Sequence, residues 1–453
     1  MSEANSGSGP TQRVLMVGLD WPAIDAAARM GLDVVVICSS KAWKASFRSH
    51  RAEVSPLLVE DQSVIDQCLS AISLAGLDLE SFGGVYTTDE FSIGAADRLA
   101  ELAGTPRMTS NGSVIQFRDK AVQKMSLSGS RVRTARAVHV HDILAFDPAS
   151  LDWSGPHVLK PVASAGTMHT AKVASAGEFS EAVGRIRGTR AEDLNYVVEE
   201  FVTGEEWIAD GIIFDGKIEF LSFSRYGEPC LDSLDGGRAM TMQKLDHGMH
   251  RVHVERLTPF VHDALTALGA LNGAFHMEFF YRPGDGTAIF GECGIRRGGA
   301  FTYEQLLAKY SFNIVEAALR CCLGERPDCA TVSSPSAVGT TQLLNVPGTV
   351  LSSPSYLDIE AQQDVEFARV FSPPGSVVAQ GEGHGTHIRS AEALVVSPTD
   401  AELEASIRAL QEWFHETSVV VPVTQDVAEL RQWQRKHFPE SAAGDRTYVG
   451  LDG

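Results

Sequence analysis

The stretch 275-FHMEFFYRPGDGTAIFGECGIRRGGAF-301 alternates His276, Glu278 and Phe280 with Met277, Phe279 and Tyr281, which is the period of a β-strand. Pro283-Gly284-Asp285-Gly286 supplies a turn, and the following run, Ala288 to Cys293, carries Glu292. The segment reads as a β-hairpin with Glu278 on one strand and Glu292 on its neighbour. Two carboxylates facing one way in apolar strands are costly to bury unless positive charge compensates them. A hard cation with oxygen ligands, Mg2+ or Mn2+, would do so. A structural ion pair between Glu278 and Arg296 is the other reading of the same residues. Beyond the hairpin, Arg296, Arg297 and the pair Gly298-Gly299 offer cationic side chains and backbone N–H groups to an anion.

Working outward, 453 residues are enough for roughly two to four domains. The composition, 44% hydrophobic and 21% charged, is that of a globular protein. The net charge of −20, from 38 basic and 58 acidic residues, excludes a nucleic-acid backbone binder, which needs a basic face. Seven cysteines, an odd number without CxxC spacing, give neither a disulfide framework nor a zinc knuckle. No apolar run reaches the length of a membrane span, so a cytoplasmic protein is expected. Residues 1–12 are polar and small and read as a disordered leader rather than a signal peptide.

Upstream, 13-RVLMVGLDWPAIDAAARMGLDVVVICSS-40 is a βαβ unit, and a second α/β pair follows, so 13–112 is expected to be a small doubly wound domain. Its first turn, Gly18 to Pro22, lacks GxGxxG and gives a dinucleotide no phosphate cradle. Residues 113–195 hold a helix entered through Asp119 and a strand carrying Lys160-Pro161 into the small-residue loop Ala163 to Thr167. Such a loop lets backbone N–H groups approach phosphate, with Lys160 adding a charge; it is equally a plain turn beside a solvated lysine. In 196–330, the strand Tyr196 to Val202 leads to a linker whose backbone can pair with a purine edge, and Glu206 can take ribose hydroxyls. Surface acids on a hairpin are the alternative. The Gly-, Asp- and Ser-rich segment 225–248 reads as a mobile loop whose Arg225, Arg238 or Lys244 closes over phosphates. From 331 to 435 strand-like runs at 341–352, 364–373 and 393–398 precede a helix at 400–417. His384 and His387 between them lack a third ligand and read as a loop. A tail spans 436–453.

Five of these segments stand in one order. They are Arg118-Asp119-Lys120, Leu159-Lys160-Pro161 with the loop to Thr167, Glu199 to Glu206, His276 to Phe280, and Gly291 to Gly299. From about residue 13 to 330 the chain thereby resembles the ATP-grasp superfamily and its carboxylate–amine ligases. The resemblance implies an α/β and α+β ATP-grasp fold: an N-terminal doubly wound α/β domain, a two-lobed ATP-binding region and a C-terminal α+β domain. It implies that Lys120 and Lys160 hold the ATP phosphates, with Ser164, Gly166 and Thr167 folding over them. Glu199, Glu200, Phe201 and Val202 would meet adenine, and Glu206 the ribose. Glu278 and Glu292 would carry Mg2+ (or Mn2+), and Arg296 would stabilise an oxyanion beside Arg297, Gly298 and Gly299. Arg296, Glu292 and Lys160 are the implied catalytic set. Gly294 departs from the family, which often has Asn there, and this puts a two-metal geometry in doubt. The C-terminal region is similar to that of L-amino-acid ligases that make dipeptides.

The implied activity joins a small-molecule carboxylate to an amine through an acyl phosphate, releasing ADP and phosphate. The expected product is a dipeptide or an aminoacylated metabolite such as an N-glycyl β-lactam or clavam, in antibiotic biosynthesis. The alternatives are a purine-biosynthetic or carboxylase-type ATP-grasp ligase, a phosphotransferase, and a nucleotide-binding protein without turnover. A homodimer is carried as an expectation; no partner nucleic acid or membrane is implied.

Overall fold

The computed structural model describes residues 12–45, 54–110, 112–378, 389–423 and 426–437. His384 and His387, the leader before residue 12 and the tail beyond 437 lie outside them.

The apolar runs Arg13–Val17, Asp33–Ser39, Leu57–Val59 and Gly84–Tyr86 form a four-stranded parallel sheet with Arg13–Val17 beside both Asp33–Ser39 and Gly84–Tyr86. Its helices behave as their sequences dictate. Trp21–Arg29 starts with Pro22 in its first turn, where a missing N–H costs nothing, and Ile93–Ala103 stops at Gly104 in the left-handed conformation. The strand ends deliver Asp20 and Glu90 toward the hairpin, as the carboxyl ends of a parallel sheet do with ligand-binding residues.

A second, antiparallel sheet has the order Ala137–Val140, Tyr196–Glu200, His157–Pro161, Ala171–Val173. Beside it runs the helix Lys120–Leu127, capped by the Asp119 carboxylate, which accepts from the Ala121 and Val122 N–H groups. This cap fixes where the helix begins and so where Lys120 points.

The third sheet is antiparallel and eight-stranded, with the order Thr287–Gly294, Gly273–Arg282, Glu205–Phe214, Lys217–Tyr226, Thr241–Lys244, Ala337–Leu343, Ala391–Ser397, Val365–Val370. The expected hairpin is its edge, and Glu278 stands opposite Glu292 in the ladder. The register slips just after Glu278, at Gly291, where a Cβ would lie 2.8 Å from the Glu278 carbonyl oxygen. The alternation in the sequence is the alternation in space. Phe275, Met277, Phe279 and Tyr281 are fully buried against the helix Arg251–Leu268, while His276, Glu278 and Phe280 face the other side and remain partly exposed. Each such buried aromatic or methionine contributes about 1.5–3 kcal/mol of transfer free energy, so a slip of one residue would be prohibitive.

Three expectations change. The segment 225–248 is not one loop: it contains the helix Cys230–Asp235 and the strand Thr241–Lys244 inside the large sheet. The run 341–352 is two strands in different sheets, Ala337–Leu343 and Gly348–Ser352, because Asn345-Val346-Pro347 breaks it. The strands Ala337–Leu343, Ala391–Ser397 and Val365–Val370 continue the sheet that carries the hairpin, so the 331–435 region shares its main sheet with 196–330.

Candidate active site

The inner faces of the two antiparallel sheets and the ends of the parallel strands enclose a cavity of about 640 Å3. Its lining includes Glu90, Lys120, Lys160, Ser164, Gly166, Thr167, Glu199 to Gly204, Glu206, Glu278, Glu292, Arg296 and Gly299. All the expected phosphate-, base- and ribose-binding positions therefore share one space with the carboxylate pair. Arg297 and Gly298, between the lining residues Arg296 and Gly299, are not part of the lining.

The charges are organised around two acids. Lys120 Nζ lies 3.0 Å from Glu292 Oε2 and donates to the Ser164 carbonyl at 3.1 Å, which ties the helix start to the small-residue loop. Burial alone would raise the Glu292 pKa, but Lys120 and Lys160 outweigh it and hold the carboxyl at about 2. Glu199 is buried between Lys124 Nζ at 2.7 Å and Lys160 Nζ at 3.0 Å. Its carboxylate is thus engaged with two lysines, while the following residues, Glu200 to Gly204, line the cavity. Burial pushes the Lys124 ammonium down to about 8 despite Glu199; Lys160, equally desolvated, is carried above its ordinary value by Glu199 and Glu292. Lys124 also donates to the carbonyl of the bulged Gly291 at 3.1 Å. Lys124 is not among the expected site residues, although it lies one helical turn after Lys120 and so on the same face.

Glu278 Oε1 accepts from the Tyr226 hydroxyl at 3.1 Å, and His276 Nε2 stands 3.4 Å from the same oxygen. The Glu278–Arg296 ion pair is not formed. Arg296 Nε is instead bound to Glu90 Oε2, and its Nη1 donates to the Arg297 carbonyl at 2.7 Å. Glu90 also meets Arg118 at 3.3 Å, and Arg297 Nη2 meets Asp20 at 3.0 Å. Glu90 and Asp20 are invisible to motif reading because Arg296 and Arg297, which they hold, lie 206 and 277 residues away. Their position just past parallel strand ends was the available signal. Gly294 faces the same group: a Cβ there would lie 3.5 Å from Glu90 Oε2.

The three basic residues expected to close on phosphates are occupied elsewhere. Arg225 donates to Gln243 at 3.2 Å, Arg238 grips Glu228 with two nitrogens, and Lys244 is buried on Asp210 at 3.1 Å. Lys172 lines the cavity instead, with its ammonium 3.9 Å from the centre of the Phe201 ring.

The residues present fit a divalent cation. Glu278 and Glu292 give an oxygen-only donor set from adjacent strands, and the site holds excess negative charge. Glu206, which accepts from the Cys230 N–H at 2.7 Å, is pushed up to about 8 by burial and then by the charge of Glu278. Among the described residues no group of three or more His, Cys, Asp and Glu forms a complete metal site. Two carboxylates plus phosphate and water oxygens is the coordination that Mg2+ ordinarily takes.

No family model matches the sequence. The L-arginine-specific L-amino acid ligase of Bacillus subtilis is 21% identical over 347 residues, which cover 75% of this chain and 82% of that protein. Among solved structures, an L-amino acid ligase from Bacillus licheniformis superposes with a TM-score of 0.71 at 18% identity, over 91% of this chain and 100% of that one. Carboxyaminoimidazole ribonucleotide synthase from Aspergillus clavatus, solved with ATP, gives a TM-score of 0.66 at 14% identity, covering 90% and 99%. Biotin carboxylase from Campylobacter jejuni gives 0.62 at 13%, covering 91% and 92%. The chain has the ATP-grasp fold, and in sequence and fold it is similar to L-amino acid ligases.

Proposed function

We propose that this protein is an ATP-dependent carboxylate–amine ligase that forms an amide bond through an acyl phosphate. The observation that carries the reading is the cross-strand pair Glu278 and Glu292 in one cavity with Lys120, Lys160 and Arg296. Binding alone does not call for a guanidinium beside the carboxylate pair.

Attack of a carboxylate on the γ-phosphate of ATP brings two anions together, so positive charge must be in place first. Lys120 and Lys160 supply it from the phosphate side, Lys120 paired with the half-buried Glu292 and Lys160 with the buried Glu199. A divalent cation on Glu278 and Glu292 would add Lewis-acid neutralisation of the phosphates when bound. The carboxylate oxygen bonds to phosphorus as ADP leaves. The amine nitrogen then attacks the acyl carbon, phosphate departs, and nitrogen loses a proton. The tetrahedral oxyanion between these events falls beside Arg296, and a fixed donor at such a position is worth about 3 kcal/mol. The helix Cys230–Asp235, whose Cys230, Leu231 and Asp232 line the cavity, shields the acyl phosphate from water.

The cavity continues along the sheet to Thr340, Thr341, Gln342, Arg389 and Glu392, and this end receives the organic substrates. An amino acid is the proposed carboxylate component. The product is a dipeptide or an aminoacylated small metabolite, such as an N-glycyl β-lactam or clavam of antibiotic biosynthesis. No helix among the described residues is long and apolar enough to cross a membrane.

The test is nucleotide product analysis with Mg2+, ATP, pooled amino acids and pooled amines. ADP and phosphate that appear only when both pools are present support the reading. AMP and pyrophosphate overturn it, and bicarbonate-dependent ADP release in place of amino-acid dependence would point to carboxylase-type chemistry.

A further inference from the structure

We propose that Lys244, Asp210 and His276 form a relay that positions the carboxylate of Glu278. The inference rests on the reading of Glu278 as a ligand of an ATP-bound cation.

The groups come from neighbouring strands of the large sheet. His276 stands opposite Asp210 across one ladder, Asp210 opposite Ser222 across the next, and Lys244 pairs with Ser224 across the third. Lys244 Nζ donates to Asp210 Oδ2 at 3.1 Å, Asp210 Oδ1 meets His276 Nδ1 at 2.7 Å, and His276 Nε2 reaches Glu278 Oε1 at 3.4 Å. The Lys244 and Asp210 side chains are 0% exposed. Taking such charges out of water is generally no better for stability than packing apolar side chains of equal volume. The opposite face of the same strands, with Phe275, Met277 and Phe279, shows the apolar alternative in use. A Lys–Asp pair would also be neutral by itself. The histidine is the added element, and it connects the pair to Glu278.

A carboxylate on each side requires a donor at both ring nitrogens, which fixes the plane of the imidazole. The Tyr226 hydroxyl donates to the same Oε1. Both contacts converge on one oxygen, so Oε2 is the atom left for a ligand. Gly298 closes the arrangement from the Arg296 side: a Cβ there would lie 2.7 Å from His276 Nδ1, 3.0 Å from Asp210 Oδ1 and 2.5 Å from Thr302 Oγ1. The segment that carries Arg296 therefore presses directly on the relay. The relay couples the position of one cation ligand to the packing of the loop that holds the oxyanion-stabilising arginine.

The test reads Mn2+ binding by the electron paramagnetic resonance signal of the free ion, with full-length protein and a non-hydrolysable ATP analogue. H276N keeps a donor toward Asp210 and loses the one toward Glu278; H276Q does the reverse. E278Q and H276N are each expected to weaken Mn2+ binding about tenfold or more, as loss of a group behind a metal ligand does. The H276N/E278Q double variant should be no weaker than E278Q alone, H276Q should recover much of the affinity, and melting temperatures report the fold separately. Asp210→Asn strands a buried lysine, so it is made together with Lys244→Met and is expected to match H276N. E278Q weakened with H276N at wild-type affinity overturns the relay and leaves the cation reading intact. Additive losses in the double variant overturn it too, because the histidine would then act only through general structure. Wild-type affinity in E278Q overturns the cation reading itself.

Discussion

Arg296 is bound through its Nε to Glu90, a residue 206 positions earlier in the chain. The contact joins the parallel sheet to the end of the hairpin, so the position of the guanidinium depends on the N-terminal sheet, which also reaches the start of the Lys120 helix through the Glu90–Arg118 pair. Glu90 lines the cavity as well. Its removal should misplace Arg296 without emptying the proposed nucleotide site.

Glu90→Gln is therefore expected to lower kcat about 100-fold, the usual scale for a catalytic group displaced by about 1 Å, while ATP binding measured by calorimetry stays within a few-fold of wild type. An unchanged kcat would show that Arg296 finds its place unaided. Arg296→Ala should give the same split with a larger loss.

The Lys124–Glu199–Lys160 cluster makes a different prediction. Glu199 is buried between two ammonium groups, and removing one partner leaves charge uncompensated. Lys124→Met keeps the length of the side chain and removes that charge. It should destabilise the fold by about 3 kcal/mol, the low end for breaking a buried pair, because Lys160 remains to hold Glu199. Urea denaturation measures it. A change below about 0.5 kcal/mol would show that Lys160 alone satisfies the acid.

What could be read in the sequence follows from which signals are local. The hairpin is legible because every second residue from Phe275 to Tyr281 is a large apolar one, and strand geometry turns that period directly into two faces. The Asp119 cap and the Lys120 position are legible for the same reason. Glu90 and Asp20 act on residues 206 and 277 positions away, and no short-range pattern records such pairings. At Lys244 composition and register point in opposite directions. Residues 225–248 are rich in Gly, Asp and Ser, yet Met242 and Lys244 fall on one face of a strand that pairs with Lys217–Tyr226 on one side and Ala337–Leu343 on the other. A lysine there reads as a cation able to close on phosphates until Asp210 is seen beneath it.

Gly298→Ala tests the close approach at the loop. The backbone is not in the left-handed region, so any penalty comes from contact rather than conformation. The new methyl would overlap His276 Nδ1 and Thr302 Oγ1, and small-to-large changes in tight packing cost about 1–3 kcal/mol. We expect a loss of thermal stability on that scale and a kcat reduced by more than tenfold, since the same shift moves Arg296. Wild-type melting and turnover together would mean that the loop yields freely.

Glu206 gives a prediction with a definite sign. Its carboxyl is held at about 8 by burial and by Glu278, against 4.5 for an ordinary glutamate. Between these values the unfolded chain has released the proton and the folded one retains it. Folded stability from this group therefore falls as pH rises from about 4.5 to about 8, and the loss is complete above that. Glu206→Gln imitates the protonated form and cannot ionise. The variant should match wild type in melting temperature near pH 5 and exceed it at pH 9, with the gap opening through the interval between. Cation and nucleotide binding add a second readout. Positive charge brought to Glu278 should lower the Glu206 pKa, so adding Mg2+ to ATP-bound wild type near pH 7 should release protons, and Glu206→Gln should release fewer. Calorimetry in two buffers of different ionisation enthalpy measures that difference. A variant with the same pH–stability profile and the same proton release as wild type would place the negative charge of the site elsewhere.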